Sequence, residues 1–463
     1  MQAQQKMGTM RMAPLIWSMS VPAIISMLIN ALYNIVDSAF VARYSADALT
    51  AVSLVFPLQQ LVIAVAVGSG VGVNSLMSRC LGGKENERAE QAAEHGLGLS
   101  IFCGIIFVLV ALFGSRPFLA GFTNNANVLE QAVQYSYISV GFSAFLIVYI
   151  MCEKIQQATG NMIVPMFQGL IGSIVNIILD PLLIFGIGPF PELGIQGAAI
   201  ATVLGQIAAM LIGIWGVFFH QKVLKIRFFG WKIKLSMLKE IYQVGFPGII
   251  MQSIASVLTA GMNIILIQFS EAAVTVLGIY FKLQTFVFMP VFGLNQGALP
   301  VMGYNFGARN RERLMSAYRV AASYAFMIMV VGTVVFQMFP EQMIGIFADP
   351  NNPEATATLV ELGVPALRII SLSFVFASFG IMNSTMFQAI GHGMASLVVS
   401  VFRQLLGILP VAILLAKLFG LTAVWYAFPI AEAVALVLSF IVLLQIDKKQ
   451  LRKMEPSKED TPL

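Results

Sequence analysis

Apolar residues run along this chain in long stretches, not in the alternation of a half-buried strand or the one-sided stripe of a surface helix. The stretches fall at about 14–41, 48–78, 91–114, 129–152, 162–187, 194–219, 241–268, 273–304, 314–339, 358–390, 394–416 and 421–446. Each reaches the roughly 20 residues that a helix needs to cross about 30 Å of hydrocarbon. In lipid the backbone must bond within its own segment or around a closed barrel. Alternating segments of roughly ten residues, the mark of a barrel, are absent, so the pattern predicts twelve transmembrane helices. The second and eighth stretches exceed a span, which predicts tilt or an end standing clear of the headgroups. The first stretch follows Lys6 and Arg11 without a small-residue cleavage signature and is read as a retained span.

Composition agrees: 58% of residues are hydrophobic and 11% charged, with a mean hydropathy of +0.84. A soluble domain carries roughly a quarter charged residues, so soluble classes are excluded. The net charge of +5 is explained by topology. Numbering the loops alternately puts twenty Lys and Arg on one side and three, Arg43, Arg116 and Lys417, on the other. That bias places both termini in the cytoplasm, with the spans among membrane lipids and no nucleic-acid partner implied. The cysteines Cys80, Cys103 and Cys152 lack CxxC spacing and read as buried residues.

The chain also repeats itself at an offset of 225 residues. Pro22-Ala23-Ile24-Ile25 answers Pro247-Gly248-Ile249-Ile250, and Phe56, Leu58 and Gln59 answer Phe281, Leu283 and Gln284. Gly68 answers Gly293, and Gly82-Gly83-Lys84 with Glu87-Arg88 answers Gly307-Ala308-Arg309 with Glu312-Arg313. After a small shift, Gln157-Ala158-Thr159-Gly160 answers Gln388-Ala389-Ile390-Gly391. A repeat unit with an even number of spans keeps one orientation. The expected fold is therefore an all-α integral membrane protein of two six-helix bundles, related by a pseudo-two-fold axis along the membrane normal. The expected units are a lobe over 1–219, a cytoplasmic linker over 220–240, a second lobe over 241–446 and a cytoplasmic tail over 447–463.

The candidate ionisable residues within or bordering spans are few: Asp37, Glu153, Asp180, Glu432, Lys282, Arg368 and Arg403. A charge at the bilayer centre costs at least about 2.5–3.5 kcal/mol, so each should face a cavity or a partner. Asn30, Asn34 and Asp37 lie along one face of the first helix, and Asn176 and Asp180 are spaced i, i+4. Pro181 frees a carbonyl in the turn before it. Tyr135 and Glu153, eighteen residues apart, would share a face of a straight fourth helix at opposite ends. Two readings stand for Glu153: an interfacial ion pair or snorkelling acid, and a pathway residue. Glu432 is expected to pair with Arg403 or Arg368. Lys282 and Arg403 either attract an anionic substrate or neutralise helix ends and neighbouring acids. The repeat partners of Asp37 and Asp180 are Met262 and Val411, so coupling chemistry belongs to the first half.

These residues carry a family resemblance. Asn34-Ile35-Val36-Asp37, Gln157-Ala158-Thr159-Gly160, Asn176 with Asp180-Pro181, Gly197-Ala198-Ala199-Ile200-Ala201-Thr202 and Pro247-Gly248, in this order within a six-plus-six repeat, resemble the multidrug and toxic compound extrusion family in its DinF-like prokaryotic branch. The resemblance spans nearly the whole chain. It implies an antiporter that cycles between outward-open and inward-open states and exports amphipathic organic cations against entering protons or sodium. It also implies a cation site in the first lobe at Asp37, Tyr135, Asn176, Asp180 and Thr202. Sodium, if it is the ion, would sit among Asp37, Asn176 and Asp180. Glu153 stands where several relatives have a neutral polar residue, and the acids that other branches carry in helices seven and ten are missing here.

Two carboxylates sharing a buried site repel, so the pair is expected to take up a proton or cation that competes with a cationic substrate. Asn30, Asn34, Glu153, Lys282 and Arg403 are candidate pathway contacts. A lipid-linked precursor flippase is the rival reading; it needs a basic cavity, for which only Lys282, Arg368 and Arg403 are available. His95, His220 and His392 are scattered without an HExxH or other metal motif, so neither an enzyme nor a cofactor is expected. A monomeric working unit is expected.

Overall fold

The computed structural model describes residues 2–220, 224–227, 233–347 and 353–454. Parts of the expected linker and tail, with Lys222, Lys232 and Lys458, lie outside them. The described residues are mostly helical, without a strand among them. A short helix α1 (Gln2–Thr9) precedes the first span, α2 (Met12–Tyr44). The second span is α3 (Ala46–Gly82). The third is α4 (Asn86–Leu109), continued through a π-turn at Val110–Gly114 into α5 (Ser115–Ala120). The fourth comprises α6 (Ala126–Ser139) and α7 (Ala144–Ala158), the fifth is α8 (Ile163–Ile184) and the sixth α9 (Ile195–Trp215).

The second half repeats the order. Spans seven to nine are α10 (Leu235–Leu266), α11 (Glu271–Gly307) and α12 (Arg311–Met338), followed by the short α13 (Pro340–Gly345). The tenth comprises α14 (Pro353–Ser371) and α15 (Ser373–Ala389), and the eleventh α16 (Gly393–Val401) and α17 (Leu409–Phe419), joined by a π-helical segment at Phe402–Ile408. The twelfth comprises α18 (Leu421–Val424) and α19 (Ala427–Lys449). Ten helices are long and apolar enough to span, and counting each bent pair as one span gives twelve.

Both long spans expected from the sequence are 37 residues long, and both start the same way. Ser45 caps α3 by accepting from Ala48 N at 2.9 Å, and Ser270 caps α11 by accepting from Ala273 N at 3.1 Å. The expectation of a straight fourth helix fails. That span breaks by 43° between Ser139 and Ala144, so Tyr135 and Glu153 sit on two differently directed rods. The tenth span breaks by 43° at the position one repeat later, around Leu372. Turns at Val140–Ser143 interrupt the i→i−4 ladder, which is what allows the change of direction. The start of α10 at Leu235 also shortens the linker from its expected end at 240.

Packing obeys the repeat. Within the first bundle α7 packs on α3, α4 and α9, and within the second α15 packs on α11, α12 and α19. Between the bundles α2 packs on α11 and α10 on α3, the same contact made twice. It is reciprocal residue by residue. A Cβ on Gly82 would run into the Tyr304 carbonyl, and a Cβ on Gly307 into that of Arg79; Gly82 and Gly307 are 225 apart, as are Arg79 and Tyr304. Likewise Gly68 packs on Ile249 and Gly293 on Ile24. Mutual exchange of this kind is the signature of a two-fold axis.

Gly68 and Gly293 lie part-way along their helices, and the Gly82 and Gly307 contacts lie at the end of the molecule that carries the basic loops. There an apolar cluster joins Val73, Met77 and Leu81 of α3 with Ile241 of α10 and Tyr304 of α11. Arg88 pairs with Glu240 at 2.6 Å across the bundles, and α1 is tied down by Arg313, which donates to Met7 O at 3.2 Å. At the other end, the first bundle's cluster runs from Val41 to Ala199 and includes no described residue of the second half. The two bundles therefore meet at the basic end and part toward the opposite one.

Candidate functional site

On α2, successive residues advance by about 100°, so Tyr33 and Asn34 flank Asp37 on opposite sides. The Tyr33 side faces α8 and α9. There Asp37 and Asp180 approach closely enough to share a hydrogen bond when one of them holds a proton. Asp180 is fully buried in α8. Asn176, one turn earlier, donates to Asp180 Oδ2 at 2.9 Å while its carbonyl accepts from Thr202 N at 3.1 Å and Thr202 Oγ1 at 3.2 Å. The approach of α8 to α9 that makes this possible occurs at Gly172 and Gly205, where a Cβ would meet the facing helix. Tyr33 hydrogen-bonds to Thr202, and Tyr135, 3% exposed, accepts from Gln59 Nε2 at 3.3 Å beside Asp37.

Asp37, Tyr135, Asn176, Asp180 and Thr202 thus meet at one place, built from the first, fourth, fifth and sixth spans. Asp37 Oδ1 is buried and has no hydrogen-bond partner among the described residues. No described Lys or Arg forms an ion pair with either aspartate. Two carboxyl groups in a desolvated pocket with only neutral neighbours must be neutralised by something that comes from solution.

The sequence reading missed Tyr33 and passed over Gln59. Tyr33 stands four residues before Asp37, an i, i+4 spacing that would have found it. Asn30 and Asn34 fall on the other flank: they are exposed and bonded to one another, Asn34 Nδ2 to Asn30 Oδ1 at 2.8 Å, and do not join the acids.

Glu153 forms an ion pair, as one of its two expected readings has it, and its side chain is largely buried. It pairs with Lys154 at 2.9 Å, with side-chain exposures of 14% and 5% respectively, where α7 meets α11 of the other bundle. Arg403 pairs with Glu432 at 3.6 Å, whereas Arg368 is exposed and not in that pair. Lys282 is exposed, with its ammonium 5.6 Å from the Phe347 ring. The three cysteines are free and buried, and among the described residues no group of three or more His, Cys, Asp and Glu is placed to hold a metal ion.

Comparison with known proteins agrees with this geometry. The MatE family model matches residues 22–182 and again 247–413, starting at the two ends of the 225-residue offset. The multidrug export protein MepA of Staphylococcus aureus (strain MSSA476) is 28% identical over 432 residues, 93% of each chain. A crystal structure of a MATE protein in complex with MaL6 superposes with a TM-score of 0.91 at 27% identity, covering 98% of this chain and 100% of that one. The outward-facing conformation of a multidrug resistance MATE transporter of the MOP superfamily gives 0.90 at 27% identity, covering 98% and 99%. With a twelve-span fold, an internal two-fold seam and two matched halves, this chain belongs to the multidrug and toxic compound extrusion family of multi-pass membrane transporters.

Proposed function

We propose that the protein is a secondary active efflux antiporter that exports amphipathic organic cations in exchange for protons or sodium by alternating access. The observation that carries this reading is the acid pair Asp37 and Asp180, buried among neutral donors with one carboxylate oxygen left unpartnered. A group that must borrow its counter-ion from solution is an ion sensor. When an ion occupies the pair, the repulsion between the two carboxylates is relieved; when it leaves, two charges repel and favour a different position of α2. Pro22 within α2 leaves one turn without its hydrogen bond, a place where that helix can bend.

With the basic end on the cytoplasmic face, as the loop charges argue, the shut seam faces inward and the space between the bundles opens outward. Exchange of one monovalent drug for one proton moves no net charge and draws only on the pH gradient, about tenfold per unit. Two ions per drug would add about 2.3 kcal/mol per 100 mV, and two acids make that stoichiometry available.

Of the three bases that the rival flippase reading has available, Arg403 is already paired to Glu432, which leaves it Lys282 and Arg368. Vesicles loaded with purified protein, with pH and sodium gradients imposed one at a time, test the proposal. Ethidium accumulation driven by one of the two gradients is expected, and no response to either would refute it.

A further inference from the structure

Lys154 is a buried lysine placed where the bundles meet. Its ammonium lies 2.9 Å from Glu153 Oε1, 3.1 Å from Gln157 Oε1 and 3.1 Å from Gln296 Oε1, the last on α11 of the second bundle. Gln157 closes the ring by donating to Glu153 Oε1 at 2.8 Å and to Gln296 Oε1 at 2.8 Å. Its stem lies against Gly70 of α3, where a Cβ would sit 2.7 Å from Lys154 Cγ. So the lysine is fixed and enclosed, and its carboxylate partner is the more accessible member of the pair, at 14% against 5%. The pair lies near the seam glycines: Lys154 touches Gly70, two residues from Gly68, and its partner Gln296 stands three residues from Gly293.

Burying such a pair is costly and does not by itself stabilise a protein relative to apolar packing. Keeping it here makes sense if the ammonium holds the place of something else. Glu153 Oε1 already accepts from both Lys154 and Gln157, and the Tyr149 hydroxyl adjoins the same carboxylate. This is a carboxylate prepared to hold a positive charge, and it keeps some access to the outside where the two bundles meet.

We propose that Glu153 is a second substrate-binding carboxylate, and that Lys154 is a built-in counter-ion which the arriving organic cation displaces. The proposal rests on the cation-export reading. Displacement leaves the ammonium with only the amide oxygens of Gln157 and Gln296, a poor setting for a desolvated charge. The charge is then better placed in water, which it reaches when α7 and α11 separate. Substrate binding at Glu153 thereby weakens a bond that holds the basic end shut, and differential affinity for the two states is what a coupled transporter requires.

The test is ethidium affinity, read by fluorescence on purified full-length protein, for Glu153→Gln, Lys154→Met and the double variant. Glu153→Gln should weaken binding by about tenfold or more, the loss expected for a hydrogen-bonded charge partner. Lys154→Met should tighten it, because the competing cation is gone, and should have no effect when Glu153→Gln is already present. A purely structural ion pair would move both single variants in the same direction, and that result would overturn the proposal. Absence of ethidium binding by the unaltered protein would instead overturn the cation-export reading and this proposal with it.

Discussion

At the scale of single residues, the account turns on which atoms lack a partner. Asp37 and Asp180 were legible because carboxylates inside apolar stretches are rare, and Asn176 because it stands one turn from Asp180. Tyr33 escaped notice because attention to amides on the first helix chose the flank of Asn30 and Asn34. The structure turns the other flank toward α8, and only the packing of the first span on the fifth decides between the two. Replacing Tyr33 by Phe removes the bond to Thr202 and leaves the ring in place. Reversible unfolding in detergent should show a loss of about 0.5–1.5 kcal/mol, while ethidium affinity should be unchanged. A large fall in ethidium affinity would mean that Tyr33 touches substrate. The partner of Lys154 was not legible for a different reason. Gln296 lies 142 residues away in the other half, and nothing in the local pattern of either helix announces the meeting.

At the scale of elements, the helices closing the seam are the repeated pairs α2 with α11 and α10 with α3. Their contacts depend on glycines that permit backbone to lie on backbone. A methyl group at position 307 has nowhere to go except into the Arg79 carbonyl, so Gly307→Ala should push the two bundles apart at the basic end. A native thiol reports this. Cys80 is 4% exposed on α3, beside the cavity between Arg88, Glu240 and Gly307. A maleimide that cannot cross membranes should label Cys80 slowly in the unaltered protein and much faster in Gly307→Ala when added from the basic side. Equal labelling would show that the seam does not depend on this approach. The glycines themselves were readable as repeat matches. What they touch was not, because a repeat reports resemblance between halves and not contact between them. The bends in the fourth and tenth spans were missed because both segments are continuous in hydrophobicity, and a 43° break needs no polar residue to mark it.

At the scale of the whole molecule, the architecture is symmetric and the chemistry is not. Each half builds the same packing around its central span, yet only the first half collects two uncompensated acids. In the second half the buried acid Glu432 has its cation supplied by Arg403 within the same bundle. Under the proposed exchange, the ion and its free energy would therefore enter through the first bundle. The most direct measurement is ethidium uptake into vesicles under whichever gradient drives the unaltered protein, compared with Asp37→Asn and Asp180→Asn, whose side chains keep their shape but cannot carry the exchangeable charge. Gradient-driven accumulation should vanish in both variants while ethidium binding at equilibrium survives; accumulation at the unaltered rate in either one would contradict the assignment of the ion to this pair.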